Sequence, residues 1–303
     1  MKILLLGANG QIGWELQRSL SPLGEIKACT RKEADLEDPN VLKLIIQNYQ
    51  PEIIVNAAAY TAVDKAESEP EKAYRINAEA VAIMANEIKE LDGLLIYYST
   101  DYIFDGTKTT PYTEKDQPNP QSVYGKTKYQ GEVVIKASGC NHIIFRTSWV
   151  YALRGTNFVK TMIKLGKERE ELKVVNDQIG VPTSAGLIAD ITALSLYKNT
   201  QQENQPQKML GTYHLTPMGE TSWYSFAQFI FTEAEKHGEQ LKVTPKKIIP
   251  ITTSEYEIIT NQKMAKRPAN SRLDTRKLLE KSGFLLPPWE THAKRLIKEL
   301  YTS

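Results

Sequence analysis

Cysteine is scarce in this chain of 303 residues, which contains only Cys29 and Cys140. Both lie in or beside stretches that read as buried strands, and their separation is not typical of a metal site or a redox pair. We therefore expect two reduced thiols in the core. This usage of cysteine favours a reducing, cytoplasmic compartment.

An excess of charge of either sign is also missing. The 38 basic and 36 acidic residues leave a net charge of +2, and no basic block suggests a phosphate backbone as partner. No apolar run approaches the roughly 18 residues of a membrane span, and no charged-then-apolar leader precedes the first strand. We expect a cytoplasmic protein without nucleic-acid or membrane partners.

What the chain does contain is a regular alternation of strand and helix patterns. Short apolar runs at residues 2–6, 25–30, 53–55, 94–98 and 142–147 are separated by segments of helical periodicity. This alternation predicts an α/β fold with a Rossmann-like, doubly wound parallel sheet. After residue 150 the alternation becomes irregular, which indicates a smaller mixed α/β domain at the C-terminal end. Residues 199–208, rich in Gln and Asn, read as a surface loop between helix and strand.

Three glycines, Gly7, Gly10 and Gly13, join the first strand to the first helix. Glycines let a backbone turn tightly and approach a pyrophosphate, while the free amide groups of the helix N-terminus face the anion. The spacing is G-x-x-G-x-x-G, and a tight turn without any ligand is the alternative. The context of strand, turn and helix favours a dinucleotide site.

The second strand ends in Arg31 and Lys32 and lacks the acidic residue that would bind an adenosine ribose. Basic residues at this place favour a 2′-phosphate and therefore NADPH, with NADH as a further possibility. The alternative is a solvated loop, because Glu33 and Asp35 stand close enough to weaken the positive field.

Protic side chains lie at the end of the fourth strand and on the helix that comes after it. Ser99, Thr100 and Asp101 emerge at the carboxyl end of the strand, and Tyr124 and Lys128 lie one helical turn apart on one face. An ammonium group beside a phenol stabilises the phenolate, so Tyr124 can protonate a carbonyl oxygen while a nicotinamide delivers hydride, and Thr100 can bond the same oxygen. Tyr-x-x-x-Lys alone also describes an ordinary amphipathic helix, but the ordered set predicts reduction of a ketone.

Three further positions leave alternatives open. Asn77 lies near the packed side of a helix predicted over residues 71–90, where its amide either satisfies a buried backbone group or contacts a ligand. Trp149 follows the fifth strand and is either a core aromatic residue or, as we favour, a flat platform over a sugar or base. The aromatic stripe that begins at Trp223 is interpreted as core rather than as a ligand box.

Taken together, these motifs resemble those of the extended short-chain dehydrogenases/reductases over nearly the whole chain. The stretches that carry the resemblance are residues 7–16, 55–67, 99–102, 124–128 and 145–151, Arg267-Pro268 and Asn270-Ser271. Within that family, they are most similar to enzymes that reduce the C4 ketone of dTDP-4-dehydro-β-L-rhamnose with NADPH or NADH. The resemblance thus implies a dTDP-sugar as substrate and dTDP-L-rhamnose, used for cell-surface polysaccharide, as product.

The resemblance also assigns residues to roles. It implies that Thr100, Tyr124 and Lys128 are catalytic, and that Thr100, Asp101 and Trp149 bind the sugar nucleotide. Together with the glycine turn and Arg31, the cofactor-binding set is Gly7, Gly10, Gln11, Ile12, Gly13, Arg31, Asp35, Leu36, Ala59, Tyr60, Thr61, Tyr124 and Lys128. The expected domains are a dinucleotide-binding unit of residues 1–150 with about 184–200, and a sugar-nucleotide unit of about 151–183 with 205–303.

The resemblance also extends to family members that form dimers bridged by magnesium, in which acidic residues hold the ion. Glu15 and Asp190 match that pattern, but Gly186 stands where a further acid is expected, so we assign no metal ligand and expect a monomer or homodimer. Solvated carboxylates are the alternative for the two acids. Two functional alternatives also stay open: a regulatory subunit like the β subunit of methionine adenosyltransferase, and a nucleotide-sugar epimerase or dehydratase.

Overall fold

The structure, a computed structural model, describes residues 1–200, 208–260 and 264–302. The strands are β1 (Lys2–Leu6), β2 (Glu25–Cys29), β3 (Ile53–Asn56), β4 (Leu94–Thr100), β5 (Asn141–Thr147), β6 (Val150–Tyr151), β7 (Leu172–Val175), β8 (Ile179–Gly180), β9 (Thr183–Ser184), β10 (Gly211–His214), β11 (Thr221–Ser222) and β12 (Ile248–Ile251). The helices are α1 (Gln11–Leu20), α2 (Pro39–Tyr49), α3 (Val63–Ala66), α4 (Pro70–Tyr74), α5 (Ala80–Glu90), α6 (Val123–Ser138), α7 (Phe158–Glu168), α8 (Ala185–Thr200), α9 (Trp223–Lys236), α10 (Thr253–Thr260), α11 (Arg276–Ser282) and α12 (Trp289–Thr302). Most of the predicted Gln- and Asn-rich loop, residues 201–207, lies outside the described residues.

A six-stranded sheet in the described part of the chain has the order β10-β5-β4-β3-β1-β2. Every pairing within it is parallel, which confirms the predicted Rossmann-like class. The direction of winding reverses between β1 and β3, and in such sheets ligands bind outside the carboxyl ends of the strands at that reversal. The topology therefore places a binding crevice beside the glycine turn.

Helices cover both faces of this sheet because alternate strand residues point to opposite sides. One face packs against α1 and α8, with Leu5 and Ile96 meeting Leu16 and Ile188. The other face packs against α2, α5 and α6, and its core includes both Tyr97 and the buried free thiols of Cys29 and Cys140. The predicted core thiols are thus confirmed.

A third core lies in the C-terminal part of the chain. Phe226, Ala227 and Ile230 of α9 are buried there, as predicted for the aromatic stripe, together with Trp289 of α12. The strand β12 pairs in parallel with β7. The strand β10, from the range assigned to the second domain, instead pairs with β5 at the edge of the main sheet; the division into two domains stays a prediction.

Local sequence signals explain where the helices begin. Asp38 caps α2 by accepting hydrogen bonds from the amide groups of Asn40 and Val41, with Pro39 in the first turn. Ser122 caps α6 in the same way, because its side chain accepts a hydrogen bond from the amide of Gly125.

Among the described helices, none has the length and apolar character that crossing a membrane requires.

Candidate active site

A cavity of about 590 Å³ opens at the carboxyl ends of the central strands. Its walls include the predicted residues Gly7, Gly10, Gln11, Ile12, Arg31, Asp35, Leu36, Ala59, Thr61, Thr100, Asp101, Tyr124, Lys128 and Trp149. Gly13 and Tyr60 are not among the lining residues. Gly13 packs against the backbone of Gly7, and the backbone amide of Tyr60 donates a hydrogen bond to Asn77. The structure thus brings the glycine turn and the three proposed catalytic side chains to one cavity.

The glycine turn is shaped by contacts that a side chain would prevent. Gly7 has a φ of +76°, and a Cβ there would lie 2.7 Å from the backbone nitrogen of Ala58. A Cβ on Gly13 would lie 2.1 Å from the carbonyl oxygen of Gly7. Gly10 precedes α1 without any side-chain cap, so the first amide groups of that helix are available to an anion in the cavity.

Arg31 lines the cavity near the end of β2, and acidic neighbours hold its guanidinium. Its Nε lies 3.2 Å from Asp35 Oδ2, and its Nη2 pairs with Glu37. Glu33, which we expected to weaken the field of Arg31, is instead bonded to the amide and hydroxyl of Thr30. Arg31 is largely exposed, so its positive charge remains accessible to a ligand in the cavity.

Asn77 satisfies backbone groups, which resolves one open alternative. Its Oδ1 accepts from the amide of Tyr60 at 2.9 Å, and its Nδ2 donates to the carbonyl of Tyr60 and to Thr127 Oγ1. It lies in a π-helical turn, Arg75–Glu79, that joins α4 to α5, so the single helix predicted over residues 71–90 contains a local widening. These bonds fix the segment before Thr61 against α6.

Thr100 and Asp101 are both buried where β4 ends. The hydroxyl of Thr100 donates to Asp101 Oδ1 at 3.0 Å and accepts from the amide of Tyr102. Burial raises the pKa of Asp101 to about 6, against the opposing effect of neighbouring hydroxyl donors. Asp101 is therefore a carboxyl group whose charge is costly, held next to the hydroxyl proposed to contact substrate.

The position of Tyr124 depends on the glycine that follows it. A Cβ on Gly125 would lie 2.2 Å from the carbonyl oxygen of Tyr102, so this glycine lets α6 approach the end of β4 closely. The rings of Tyr102 and Tyr124 then meet edge to face with centroids 5.4 Å apart. Burial raises the pKa of the Tyr124 phenol to about 12, while the Thr100 hydroxyl acts in the opposite direction.

Lys128 is buried one turn further along α6, with 3% of its surface exposed. Its Nζ lies over the ring of Tyr97, 3.9 Å from the centroid, where the negative face of the ring favours the ammonium form. Burial lowers the pKa of Lys128 to about 7, and the charge of Glu132 opposes that shift. Neither Tyr97 nor Glu132 was singled out from the sequence, although Glu132 continues the Tyr124-Lys128 spacing by one more turn.

Trp149 packs against another aromatic residue and also lines the cavity, and its role as a platform over a sugar or base stays a prediction. Its backbone adopts a φ of +48°, an uncommon conformation for a bulky residue that tends to occur at functional sites. One face of its indole stacks on Trp223, with centroids 3.5 Å apart, and the residue also lines the cavity. A Cβ on Gly180 would lie 2.6 Å from the indole, so a glycine is needed beneath this stack.

The motif around Arg267 ties the C-terminal part of the chain to the first half. Arg267 forms a bidentate pair with Asp64 at 2.8 and 3.0 Å. Asn270 Nδ2 donates to the carbonyls of Lys108 and Thr110 in the long loop after β4. These contacts hold residues 264–272 beside that loop.

Glu15 and Asp190, the acids of the magnesium pattern, lie near each other away from the cavity. Asp190 Oδ1 accepts from Arg18 Nη2 at 2.9 Å and from Ser19 Oγ at 2.7 Å. Arg18 Nε also lies 3.8 Å from Glu15. Among residues 1–200, 208–260 and 264–302, no group of three or more His, Cys, Asp or Glu side chains is arranged to hold a metal ion.

Polar atoms left without partners indicate that the cavity is built for a ligand. Asn56 Nδ2, Asp101 Oδ2 and Thr147 Oγ1 are buried, line the cavity and find no hydrogen-bond partner among the described residues. Buried polar groups of this kind are costly unless something else satisfies them. Together with the glycine turn, they fit a polar ligand such as a dinucleotide with a sugar nucleotide beside it.

Comparison with known proteins extends over nearly the whole chain. Residues 1–302 match the family described as the RmlD substrate binding domain. The chain is 45% identical over 307 residues to a dTDP-4-dehydrorhamnose reductase of Escherichia coli (strain K12), with 100% of this chain and 99% of that protein covered. A crystal structure of such a reductase from Clostridium acetobutylicum is similar with a TM-score of 0.89 at 38% identity, covering 99% of both chains. One from Bacillus anthracis, in complex with NADP, has a TM-score of 0.86 at 36% identity and covers 98% of this chain and 99% of that one.

Proposed function

The chain belongs to the dTDP-4-dehydrorhamnose reductase family, and we propose that it reduces the C4 ketone of dTDP-4-dehydro-β-L-rhamnose to give dTDP-L-rhamnose. It is an NAD(P)H-dependent oxidoreductase that binds a nicotinamide dinucleotide. The observation that carries the proposed site is the convergence of Thr100, Tyr124 and Lys128 on the cavity that also contains the glycine turn.

Residues in the cavity wall can be assigned to each part of the dinucleotide in this proposal. The turn at Gly10 and the N-terminus of α1 would hold the pyrophosphate. Arg31 and Asp35 would hold the adenosine end, and Ala59 and Thr61 would border the nicotinamide half, together with Lys128. The exposed guanidinium of Arg31 supports a preference for NADPH, since it can pair with a 2′-phosphate by exchanging one of its carboxylate partners.

Tyr124 is the proton donor in this proposal. The phenol of Tyr124 would give its proton to the C4 oxygen as negative charge develops there. The hydride for C4 would come from a reduced nicotinamide held in the same cavity. The ammonium of Lys128 lowers the cost of the resulting phenolate. Burial raises the pKa of the Tyr124 phenol to about 12 in this site, so proton donation near neutral pH would need a positive charge nearby, and Lys128, one turn along α6, is placed to supply it.

Thr100 and Asp101 orient the substrate. A threonine hydroxyl can rotate about its C–O bond, so Thr100 can turn its proton from Asp101 toward the C4 oxygen. Asp101 would then accept a hydrogen bond from a sugar hydroxyl through Oδ2, which lacks a partner in the described structure. Trp149, supported by Trp223, would border the sugar nucleotide with the free part of its indole.

The experiment is a direct assay with matched variants. Purified protein, NADPH and dTDP-4-dehydro-β-L-rhamnose should show loss of the reduced-nicotinamide absorbance and formation of dTDP-L-rhamnose. Tyr124→Phe should lower kcat by about 10²- to 10⁴-fold while NADPH binding, followed by cofactor fluorescence, is retained. Robust turnover by that variant would remove Tyr124 from the role of proton donor.

The same assay distinguishes the alternatives. An epimerase or dehydratase would convert the sugar nucleotide without net consumption of free NADPH. A regulatory subunit would bind dinucleotide without turnover and would be isolated with a stoichiometric partner. Either result would replace the proposed activity.

A further inference from the structure

Glu132 is a buried carboxylate that the proposed reaction does not use. It lies on α6 one turn beyond Lys128, and none of its surface is exposed. Tyr124, Lys128 and Glu132 therefore occupy successive turns of one helix face. An acid at such a depth persists only when charged or hydrogen-bonded partners compensate its lost hydration.

Two of those partners come from the strands that lead to the active site, and a third comes from α6 itself. Ser99 Oγ donates to Glu132 Oε1 at 2.6 Å. Arg146 donates to the same oxygen through Nε at 2.9 Å and to Oε2 through Nη2 at 2.6 Å. Lys136, on the same helix, approaches Oε2 at 3.3 Å.

The register between β4 and β5 connects these hydrogen bonds to the residues of the active site. Ser99 of β4 and Arg146 of β5 are direct ladder partners, and the next pair along is Thr100 with Thr147. One carboxylate thus ties α6 to both strands at their carboxyl ends: to Ser99, which lines the cavity, and to Arg146, which directly precedes the lining residue Thr147. The distance between the Thr100 hydroxyl and the Tyr124 phenol depends on that tie, since one is carried by β4 and the other by α6.

The charges around Lys128 depend on the same residue. Tyr97 faces Lys128 from β4, Tyr124 and Glu132 flank it on α6, and Arg146 of β5 stands behind Glu132. Arg146 also approaches His214 of β10 at 3.5 Å, but burial lowers the pKa of that imidazole to about 3, so it is neutral near pH 7. Burial by itself raises the pKa of Glu132. The hydrogen bonds and charge of Arg146 outweigh this effect and hold the pKa of Glu132 below its ordinary value, so Glu132 is anionic.

We propose that Glu132 is a positioning residue of the reductase, which locks α6 onto the cavity ends of β4 and β5 and keeps the Lys128 ammonium charged. The inference rests on the proposed roles of Thr100, Tyr124 and Lys128. Glu132 is not among the residues that line the cavity: in this proposal it acts through Lys128, through Ser99 and through the strand pair.

Two substitutions separate the effect of the Glu132 charge from the effect of its side-chain length. Glu132→Gln removes the carboxylate charge, and we expect kcat to fall roughly 100-fold, as for a misplaced catalytic group, with the alkaline limb of the kcat pH profile moved to lower pH. Glu132→Asp keeps the charge on a shorter side chain, so kcat should fall while the alkaline limb stays at its wild-type position. KM for the dTDP-sugar should change by no more than about twofold in both, since the ground-state contacts remain.

The control is Glu233→Gln, which neutralises a buried helix carboxylate on α9 that pairs with Lys236. It should leave kcat and the pH profile unchanged. Because Glu132→Gln leaves Arg146 buried without its partner, the double variant Glu132→Gln, Arg146→Gln is measured beside it. Recovery of wild-type kcat and pH profile by a folded double variant would overturn the proposal, because the pair would then serve stability alone.

Ser99→Ala gives an independent reading if the charge variants fail to fold. It removes the bond from β4 to Glu132 and leaves the ion pair intact, so we expect a severalfold loss of kcat at an unchanged pH profile. Wild-type kcat in Ser99→Ala would contradict the positioning role. Failure of the proposed function is distinguishable, since it would appear as absent turnover in the wild-type protein itself.

Discussion

The ammonium group of Lys128 lies 3.9 Å from the centre of the Tyr97 ring, and this contact connects the core of the sheet to the proposed chemistry. Tyr97 points into the packed face of β4 and is fully buried. Its hydroxyl donates to the carbonyl of Asn77 at 3.2 Å, which orients the ring. A core residue that would otherwise be considered structural thus favours the charged form of the lysine that the proposed reaction uses.

Replacing this ring tests its electrostatic role. Tyr97→Leu should lower kcat about tenfold, because a desolvated contact between a cation and a ring contributes up to about 2 kcal/mol. Tyr97→Phe keeps the ring and should retain kcat within about threefold. Steady-state kinetics on both variants decides the point, and equal losses in the two would show that the hydroxyl, not the ring face, is what matters.

The stability of the protein should depend on the charge of Asp101. Its pKa rises from 3.8 to about 6 in the fold, so the native state holds the proton more tightly, and Asp101 reduces stability as pH rises through that interval. Asp101→Asn lacks this penalty. Relative to wild type, the free energy of unfolding of the variant should increase between pH 4 and pH 7, by at most about 3 kcal/mol. Urea unfolding at both pH values measures this difference, and a constant difference would contradict the burial of a charged Asp101.

Cofactor preference should depend on Arg31. Arg31→Ala should raise KM for NADPH about tenfold and leave KM for NADH nearly unchanged, because one exposed charged hydrogen bond to the 2′-phosphate is lost. Lys43→Ala, an exposed lysine on α2, is the matched control and should alter neither value. Parallel loss of both cofactors in Arg31→Ala would mean that this side chain does not recognise the phosphate.

The position of Trp149 should be sensitive to Gly180. In Gly180→Ala the added methyl would lie 2.6 Å from the indole, so the ring must move off its stack on Trp223. KM for the dTDP-sugar should rise about threefold to tenfold, the equivalent of a lost aromatic contact, while KM for NADPH stays constant. Gly186→Ala adds a methyl with its nearest neighbour 4.0 Å away and should behave as wild type. An unchanged sugar KM in Gly180→Ala would remove Trp149 from the sugar-nucleotide site.

Features that depend on neighbouring residues in the chain were predictable from the sequence. The alternation of strands and helices, the glycine turn and the one-turn spacing of Tyr124 and Lys128 are local patterns, and the structure places all of them as expected. The cap of α2 by Asp38 follows from the same local rules.

Features that depend on residues far apart in the chain could not be predicted from the sequence. The bond of Glu132 to Ser99 and Arg146 requires the register of β4 and β5 and the close approach of α6, which Gly125 permits. The stack of Trp149 on Trp223 joins two residues that lie 74 positions apart in the sequence. Such contacts are fixed by tertiary packing, and no periodicity in a single stretch encodes them.

The fate of the hydride tests the central claim most directly. The protein is incubated with dTDP-4-dehydro-β-L-rhamnose and NADPH that carries deuterium at both hydrogen positions on C4 of the nicotinamide, and the sugar nucleotide is examined by mass spectrometry and NMR. Net reduction predicts a single deuterium at C4 of dTDP-L-rhamnose, with one NADPH consumed for each sugar formed. Conversion of the sugar without consumption of NADPH, or recovery of the unlabelled ketone, would contradict the account.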